Sequence, residues 1–433
     1  MSKVEEFCTL STLYNPLPEQ ISVPLCPAPW SLVDLVRAGT ARWGIRNREQ
    51  HSVAHVETAV ATVLGGNCSV LLVSSGTAAL TLALQALRWS SDDEVIVCSF
   101  NCPSVVHAVL RAGMQPVFCD VGNNFTLDVA SVAPLISRKT RAVIMTHVLG
   151  QAAPAHALEK LCREAEISLI DDAAQAFGIS SAQRALGTWG DFGVLSFGRH
   201  KPLYAGGGGA VVSSEGAALD KVKRHLSGHP AIRSPRPLVR LLTDRLERVS
   251  SRVRRSATRF SDVVEALEAS CESRVMIGLV DGLTAQLVAS ELLLLEHYKT
   301  KAAALANRYR TGLRGLRRLS LTPVHHDGVC NFLTFMCQPE LRYPLGAHLA
   351  ANGIESTWLY YPLHLLSRFR HHARSELPLC ETLWRRTLCL PCRGWHSEVQ
   401  VDRVIDAIHG FDRGIWKSAR HQRVDRERSD DGC

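Results

Sequence analysis

Between Leu169 and Val212 the chain reads LIDDAAQAFGISSAQRALGTWGDFGVLSFGRHKPLYAGGGGAVV, and the order of its pieces leaves few folds open. An apolar run from Ile167 to Ile170 ends at two carboxylates, Asp171 and Asp172. A run without polar alternation reads as a strand buried on both faces, which places the acids at the carboxyl edge of a parallel sheet. A second apolar run, Phe192 to Phe197, leads four residues later to Lys201, and the glycines Gly206 to Gly209 follow. A lysine held near a buried carboxylate and glycine-rich backbone suits a Schiff base to pyridoxal phosphate, with the acid on the pyridine nitrogen.

The upstream chain supplies a matching frame. Apolar residues recur at helical spacing from Val53 to Leu64, and a turn at Gly65, Gly66 and Asn67 precedes a strand from Val70 to Val73. Ser74, Ser75, Gly76 and Thr77 then open a helix running from Ala78 to about Leu87. Strand, small polar turn, helix is the order that aims free backbone N–H groups at an anion; locally, a plain N-cap by Ser75 or Thr77 explains the same residues. Strands from Glu94 to Cys98, Pro116 to Asp120 and Ala142 to Thr146 alternate with helices from Pro103 to Ala112 and Ala155 to Glu166. Parallel neighbours need crossover helices, so this alternation implies a largely parallel sheet covered by helices.

Taken together, the motifs resemble the DegT/DnrJ/EryC/StrS family of sugar aminotransferases, whose members carry acid-D-A-A-Q-A, G-T-x-G-D, S-F-x-x-x-K and G-x-G-G in that order. Here they are Asp171 to Ala176; Gly187, Thr188, Gly190 and Asp191; Ser196, Phe197 and Lys201; and Gly206, Gly208 and Gly209. The stretch from Ser74 to Leu80 is similar to the family's cofactor-phosphate turn, and LAANGIESTWLYYPLHLLSRF and LCLPCRGWHSEVQVDRVIDAI are similar to its closing segments, so the resemblance runs from about Trp43 to Trp416. It implies an α/β fold of type I: a large domain whose mostly parallel sheet is covered by helices, plus a smaller C-terminal α+β domain. It also implies pyridoxal 5′-phosphate as cofactor. Lys201 would hold it and then move the proton between donor and cofactor, Asp172 would keep the ring nitrogen protonated, and Gln175 would meet the 3′-oxygen. Gly76, Thr77 and Ser196 would hold the phosphate, with Ala78 beside them in the cofactor set.

The chain departs from the family in two places. Cys102 stands where an aromatic ring usually lies flat on the pyridine, so either Phe100 takes that role or the thiol packs on the ring as a soft contact. The subunit-crossing asparagine of the N-x-R-M pattern is missing; Arg274 and Met276 are its nearest remnants, and neither inherits the role. His147 opens a loop resembling the family's H-L-Y-G-Q and is either a substrate contact or a hydrogen-bonded loop histidine.

Composition fixes the remaining expectations. With 433 residues, 46% hydrophobic and 21% charged, the chain has material for two domains. We expect an arm over 1–45, a large cofactor domain over 46–290, a small domain over 291–416 and a disordered tail over 417–433, with one long amphipathic helix from Leu283 to about Leu316 linking the domains. No apolar stretch is long enough for a bilayer and Met1 to Leu10 carries acids, so the expected compartment is the cytoplasm. Of the fourteen cysteines, many lie in apolar runs and are expected as reduced thiols; the C-x-x-C at Cys389 and Cys392 lacks the second ligand pair of a zinc site, so no metal is expected. The net charge of +8 is concentrated between Asp220 and Phe260, where twelve Lys or Arg meet three acids. That basic insert is either a solvated face or a surface for an anionic partner; no nucleic acid is expected. The expected reaction moves an amino group from glutamate or glutamine to a keto sugar, in a homodimer. The alternatives are a sugar dehydratase, in which a histidine replaces the lysine, and a non-catalytic regulatory member.

Overall fold

A computed structural model describes residues 21–25, 53–87, 90–227, 229, 276–316, 319–321 and 332–430. The basic insert beyond 227 (apart from 229), most of the 1–45 arm and Arg274 lie outside the described residues.

Helix α1 (Val53–Val63) leads to strand β1 (Ser69–Val73), and α2 (Gly76–Gln85) follows the polar turn. Then come β2 (Glu94–Cys98), α3 (Pro103–Arg111), β3 (Gln115–Cys119), β4 (Thr140–Thr146), α4 (Ala155–Glu164), β5 (Ser168–Asp172), β6 (Phe192–Ser196), β7 (Gly209–Ser213) and α5 (Gly216–Leu226). The seven strands form one sheet in the order β1-β7-β6-β5-β4-β2-β3. Strands β3, β2, β4, β5 and β6 pair in parallel, and β7 runs antiparallel between β6 and β1. Val95 to Cys98, Ala142 to Ile144, Ile170 and Val194 to Leu195 are almost wholly buried, as expected for strands covered on both faces. In register, Asp172 stands beside Thr146 of β4 and Val194 of β6, at the carboxyl ends of the parallel strands.

The second half contains α6 (Gly282–Leu292), α7 (Leu295–Gly312), β8 (Leu319–Leu321), β9 (Phe332–Cys337), α8 (Pro339–Ala351), α9 (Pro378–Arg386), β10 (Thr387–Pro391) and α10 (Glu398–Asp430). Strands β8, β9 and β10 make an antiparallel sheet, packed with α7, α8 and α10 around Leu305, Tyr309, Phe335, Leu349, Leu390 and Val404. The segment carrying Trp358, Leu363, Phe369 and Trp384 packs instead into the larger core of the seven-stranded sheet.

Two expectations are corrected. The single linking helix is split at Leu293 and Leu294, because α6 buries Ala285, Leu287 and Val288 in the large core while α7 buries Leu305, Ala306 and Tyr309 in the small one, and one straight helix cannot face both. The tail over 417–433 is helical as far as Asp430, as the continuation of α10; no glycine or proline interrupts Lys417 to Asp430, and its many Arg, Glu and Gln residues are good helix formers. Among the described residues no helix is long and apolar enough to cross a membrane.

Candidate active site

The carboxyl ends of β1, β5 and β6 open into a cavity of about 390 Å³, within the range of small-molecule sites. Asp172 is its deepest acid. Thr146 Oγ1 donates to Asp172 Oδ2 at 3.0 Å and the Ala174 N–H to Oδ1 at 3.1 Å. Asn101 Nδ2 donates to Thr146 Oγ1 at 2.9 Å, which leaves the threonine proton for the acid. Burial pushes the Asp172 pKa up; the Lys201 charge, the Ala174 and Thr146 bonds and His147 oppose that without cancelling it. A cation facing this carboxyl would be held by the negative form.

Asp171, one residue earlier, points to the other face of the strand, as strand alternation requires. It accepts from His147 Nε2 at 2.7 Å and from the Gly187 and Trp189 N–H groups at 2.6 and 3.0 Å. His147 Nδ1 accepts the Ala153 N–H at 3.0 Å, so the ring proton sits on Nε2. His147 is fully buried, which selects the loop-histidine reading over the substrate contact. Gln175 Oε1 accepts the Leu149 N–H at 3.0 Å and the Tyr360 hydroxyl at 3.1 Å, joining the segment after β5 to the C-terminal half.

At the head of α2, Ser75 Oγ caps the helix by accepting the Ala78 N–H at 3.0 Å. The two readings of the turn are compatible: Ser75 is the N-cap, and Gly76 and Thr77, whose N–H groups have no partner within the helix, line the cavity. Ala78 is fully buried with its N–H committed to Ser75, so the structure does not bring it to the cavity with its neighbours. Two close approaches need glycine. A Cβ on Gly76 would lie 2.7 Å from Ser196 Cβ, and one on Gly209 would lie 2.4 Å from the Ser75 carbonyl carbon. Ser196 thereby sits against the anion turn. Beside it, Ser74 donates its N–H to Gly278 O at 2.9 Å and its hydroxyl to Met276 O at 2.5 Å, so the stretch where the family has its asparagine pattern does lie next to this turn.

Cys102, at the N-cap of α3, lines the cavity and its Sγ accepts from Ser104 Oγ at 3.1 Å. Phe100 is buried among Phe125 and Tyr360, at centroid distances of 5.5 and 6.0 Å. Phe100 does not move into the stacking place; the thiol occupies that wall.

Several wall residues escaped the sequence reading. Arg199 and His200 flank Lys201 in the cavity, His200 with a left-handed φ of 63°. Burial, then Arg393, Arg199 and Lys201, push His200 down to about 3, so its ring is neutral. Phe332, Thr357 and Tyr360 enter from the C-terminal half, and Leu25 from the N-terminal arm. Tyr360 lay within a quoted family motif and was findable; nothing in the sequence marks Leu25 or Arg199. Among the described residues no cluster of His, Cys, Asp and Glu forms a metal site.

The set fits pyridoxal phosphate. A helix N-terminus pressed against a serine suits a phosphate, a buried acid suits a ring nitrogen, and Lys201 lines the same cavity. Fold and site together define a fold type I transferase dependent on that cofactor.

The chain belongs to the DegT/DnrJ/EryC1/StrS aminotransferase family, whose model matches residues 40–409. It is 30% identical over 345 residues to dTDP-4-dehydro-2,3,6-trideoxy-D-glucose 4-aminotransferase of Saccharopolyspora spinosa, covering 78% of this chain and 83% of that one. To GDP-perosamine synthase of Vibrio cholerae it is 28% identical over 343 residues, covering 78% and 85%. The crystal structure of the aminotransferase TlmJ from Streptoalloteichus hindustanus superposes with a TM-score of 0.72 at 25% identity, over 91% of this chain and 98% of that one. The protein is thus an aminotransferase, and its cofactor is pyridoxal 5′-phosphate.

Proposed function

We propose that the protein transfers an amino group from glutamate or glutamine to a keto sugar carried on a nucleotide. The observation that carries this reading is the convergence of Lys201, Asp172 and the Gly76–Thr77 turn on one cavity, in a chain whose relatives are named for nucleotide-sugar amination. Bound pyridoxal phosphate supplies an electron sink for a carbanion at the donor's Cα. The N–H groups of Gly76 and Thr77 and the Ser196 hydroxyl bind its phosphate. Asp172 holds the proton on the ring nitrogen, and the Ala174 and Thr146 bonds fix the acid's orientation. Gln175 meets the 3′-oxygen while Tyr360 and Leu149 hold its amide in place. Lys201 Nζ would anchor the cofactor and would serve as the base and acid that takes and returns the donor's Cα proton. A lysine at this place speaks against the dehydratase alternative.

We read the enzyme as a homodimer, a reading supported by the exposed apolar side chains of Met276, Leu279, Leu293 and Leu294. Sedimentation showing a fully active monomer would remove that part.

The deciding experiment needs no acceptor. With excess pyridoxal phosphate present, L-glutamate alone should bleach the enzyme's visible band and release 2-oxoglutarate in roughly stoichiometric amount, as ping-pong chemistry requires. If glutamate, glutamine, aspartate and alanine all leave the band intact, the donor half of the proposal is withdrawn.

A further inference from the structure

The five residues after β10, Cys392 to His396, lie between two parts of the cavity wall. On one side, Arg393 Nη2 donates to the main-chain carbonyl of Lys201. The same guanidinium lies 4.4 Å from the ring centroid of Trp395, and Arg393 is 3% exposed. On the other side, His396 Nδ1 accepts the Arg393 N–H at 3.0 Å while Nε2 donates to Pro24 O at 2.7 Å. One nitrogen accepts and the other donates, so the ring is a neutral bridge. Leu25, the next residue of the arm, forms part of the cavity wall. A run of bonds thus leads from the arm through His396 and Arg393 to the backbone of Lys201.

Lys201 has need of such support. It lies in a loop, outside any strand or helix, so no ladder of hydrogen bonds fixes its main chain. Its own N–H reaches Gly198 O at 3.3 Å, near the long end of a hydrogen bond. The bond to its carbonyl is charge-assisted and comes from a planar donor that ring stacking and burial hold still.

We propose that Arg393 is a positioning residue for Lys201. From the C-terminal half it fixes the backbone from which the lysine side chain reaches the cofactor, so the lysine's reach depends on how that half is seated over the cavity. The inference rests on the reading that Lys201 anchors the cofactor and is independent of which donor or acceptor is used.

The test uses the full chain and pyridoxal phosphate alone, with Arg393→Met and Arg393→Lys. Three quantities are read: the rate at which the visible band forms, the pH midpoint of that band, and the rate at which hydroxylamine discharges it. Arg393→Met should slow band formation about 10-fold or more and shift the midpoint, since small misplacements of a reacting group carry large rate costs. Arg393→Lys, which keeps a cationic donor, should recover much of both. Thermal melting and circular dichroism separate these effects from loss of structure, which would not move a pH midpoint. Should Arg393→Met not fold, Trp395→Leu keeps the bond but removes its ring support, and is expected to change all three quantities in the same direction and by less. Wild-type rates and midpoint in every folded variant would overturn the proposal while leaving Lys201 as the anchor. Absence of the band in the wild-type protein would overturn both, there being no anchored lysine to position.

Discussion

At Gly76 a single methyl group decides whether the anion turn can exist. Ser196 opposite it is pinned by ladder pairing with Gly209, so neither side can retreat from the 2.7 Å contact that an added Cβ would make. Gly76→Ala should therefore weaken pyridoxal phosphate binding about 10-fold or more and cost about 1–3 kcal/mol, the usual range for overpacking; cofactor titration and denaturant melts measure the two, and unchanged affinity would show that the turn is not the phosphate site. Lys201→Ala should abolish the visible band with the fold intact, because that band requires the covalent link; a variant that kept it would move the anchor to another lysine. These residues could be read because each belongs to a short pattern whose chemistry is local. The contacts of Arg393 with Lys201 and of Tyr360 with Gln175 could not be read that way, as the partners lie 192 and 185 positions away. Ala78 looked like its neighbours, and only the geometry reveals that Ser75 has taken its N–H.

The loop after β4 and the loop before β6 are tied together by Asp171 of β5. Three donors converge on a carboxylate with no exposure, so Asp171→Asn would turn an amide NH2 toward at least one of them. A loss of about 1–3 kcal/mol is expected, as for leaving a buried donor without its acceptor, with Asp172 and the cavity displaced in consequence. Urea denaturation checks this; a loss below about 1 kcal/mol would mean that the loop is held by something else. Strand alternation makes it legible that two adjacent acids must face opposite ways. Which one faces the cavity came from the family pattern. Helix lengths were less legible: periodicity continues through Leu293 and Leu294 although the chain changes cores there, and Lys417 to Asp430 has helix-forming residues without an apolar face to announce it.

Across the whole molecule, titrating groups withdrawn wholly or partly from water oppose one another in pH. His200 is pushed down to about 3 and His107 to about 4, in both cases chiefly by burial. Their folded values lie below the ordinary 6.5, so the unfolded chain binds the extra protons: the stability they contribute is complete above 6.5 and is lost as pH falls through about 4. Asp172 has the opposite sign. Its raised pKa contributes stability below the ordinary carboxylate range, lost as pH rises through the raised value. Melting temperature of the cofactor-free protein against pH should fall below 6.5, and His107→Gln should flatten that slope; an unchanged slope would exclude this histidine as a cause. Asp172→Asn should remove the decline at rising pH. The sheet's parallel part follows from β and α alternation alone, but the place of β7 does not, because an antiparallel strand inserted between β6 and β1 leaves no periodic trace. That insertion has a consequence for biosynthesis. Strand β1 leaves the ribosome early, yet its sheet partner, pairing Ser69 with Ser213, arrives only when the chain has been made past β7. At about 5–20 residues per second, an edge strand and the phosphate turn that it carries stay unpaired for many seconds. The cofactor cannot be captured in that interval, and a nascent chain halted before Gly209 would present a bare β1 to proteases and chaperones.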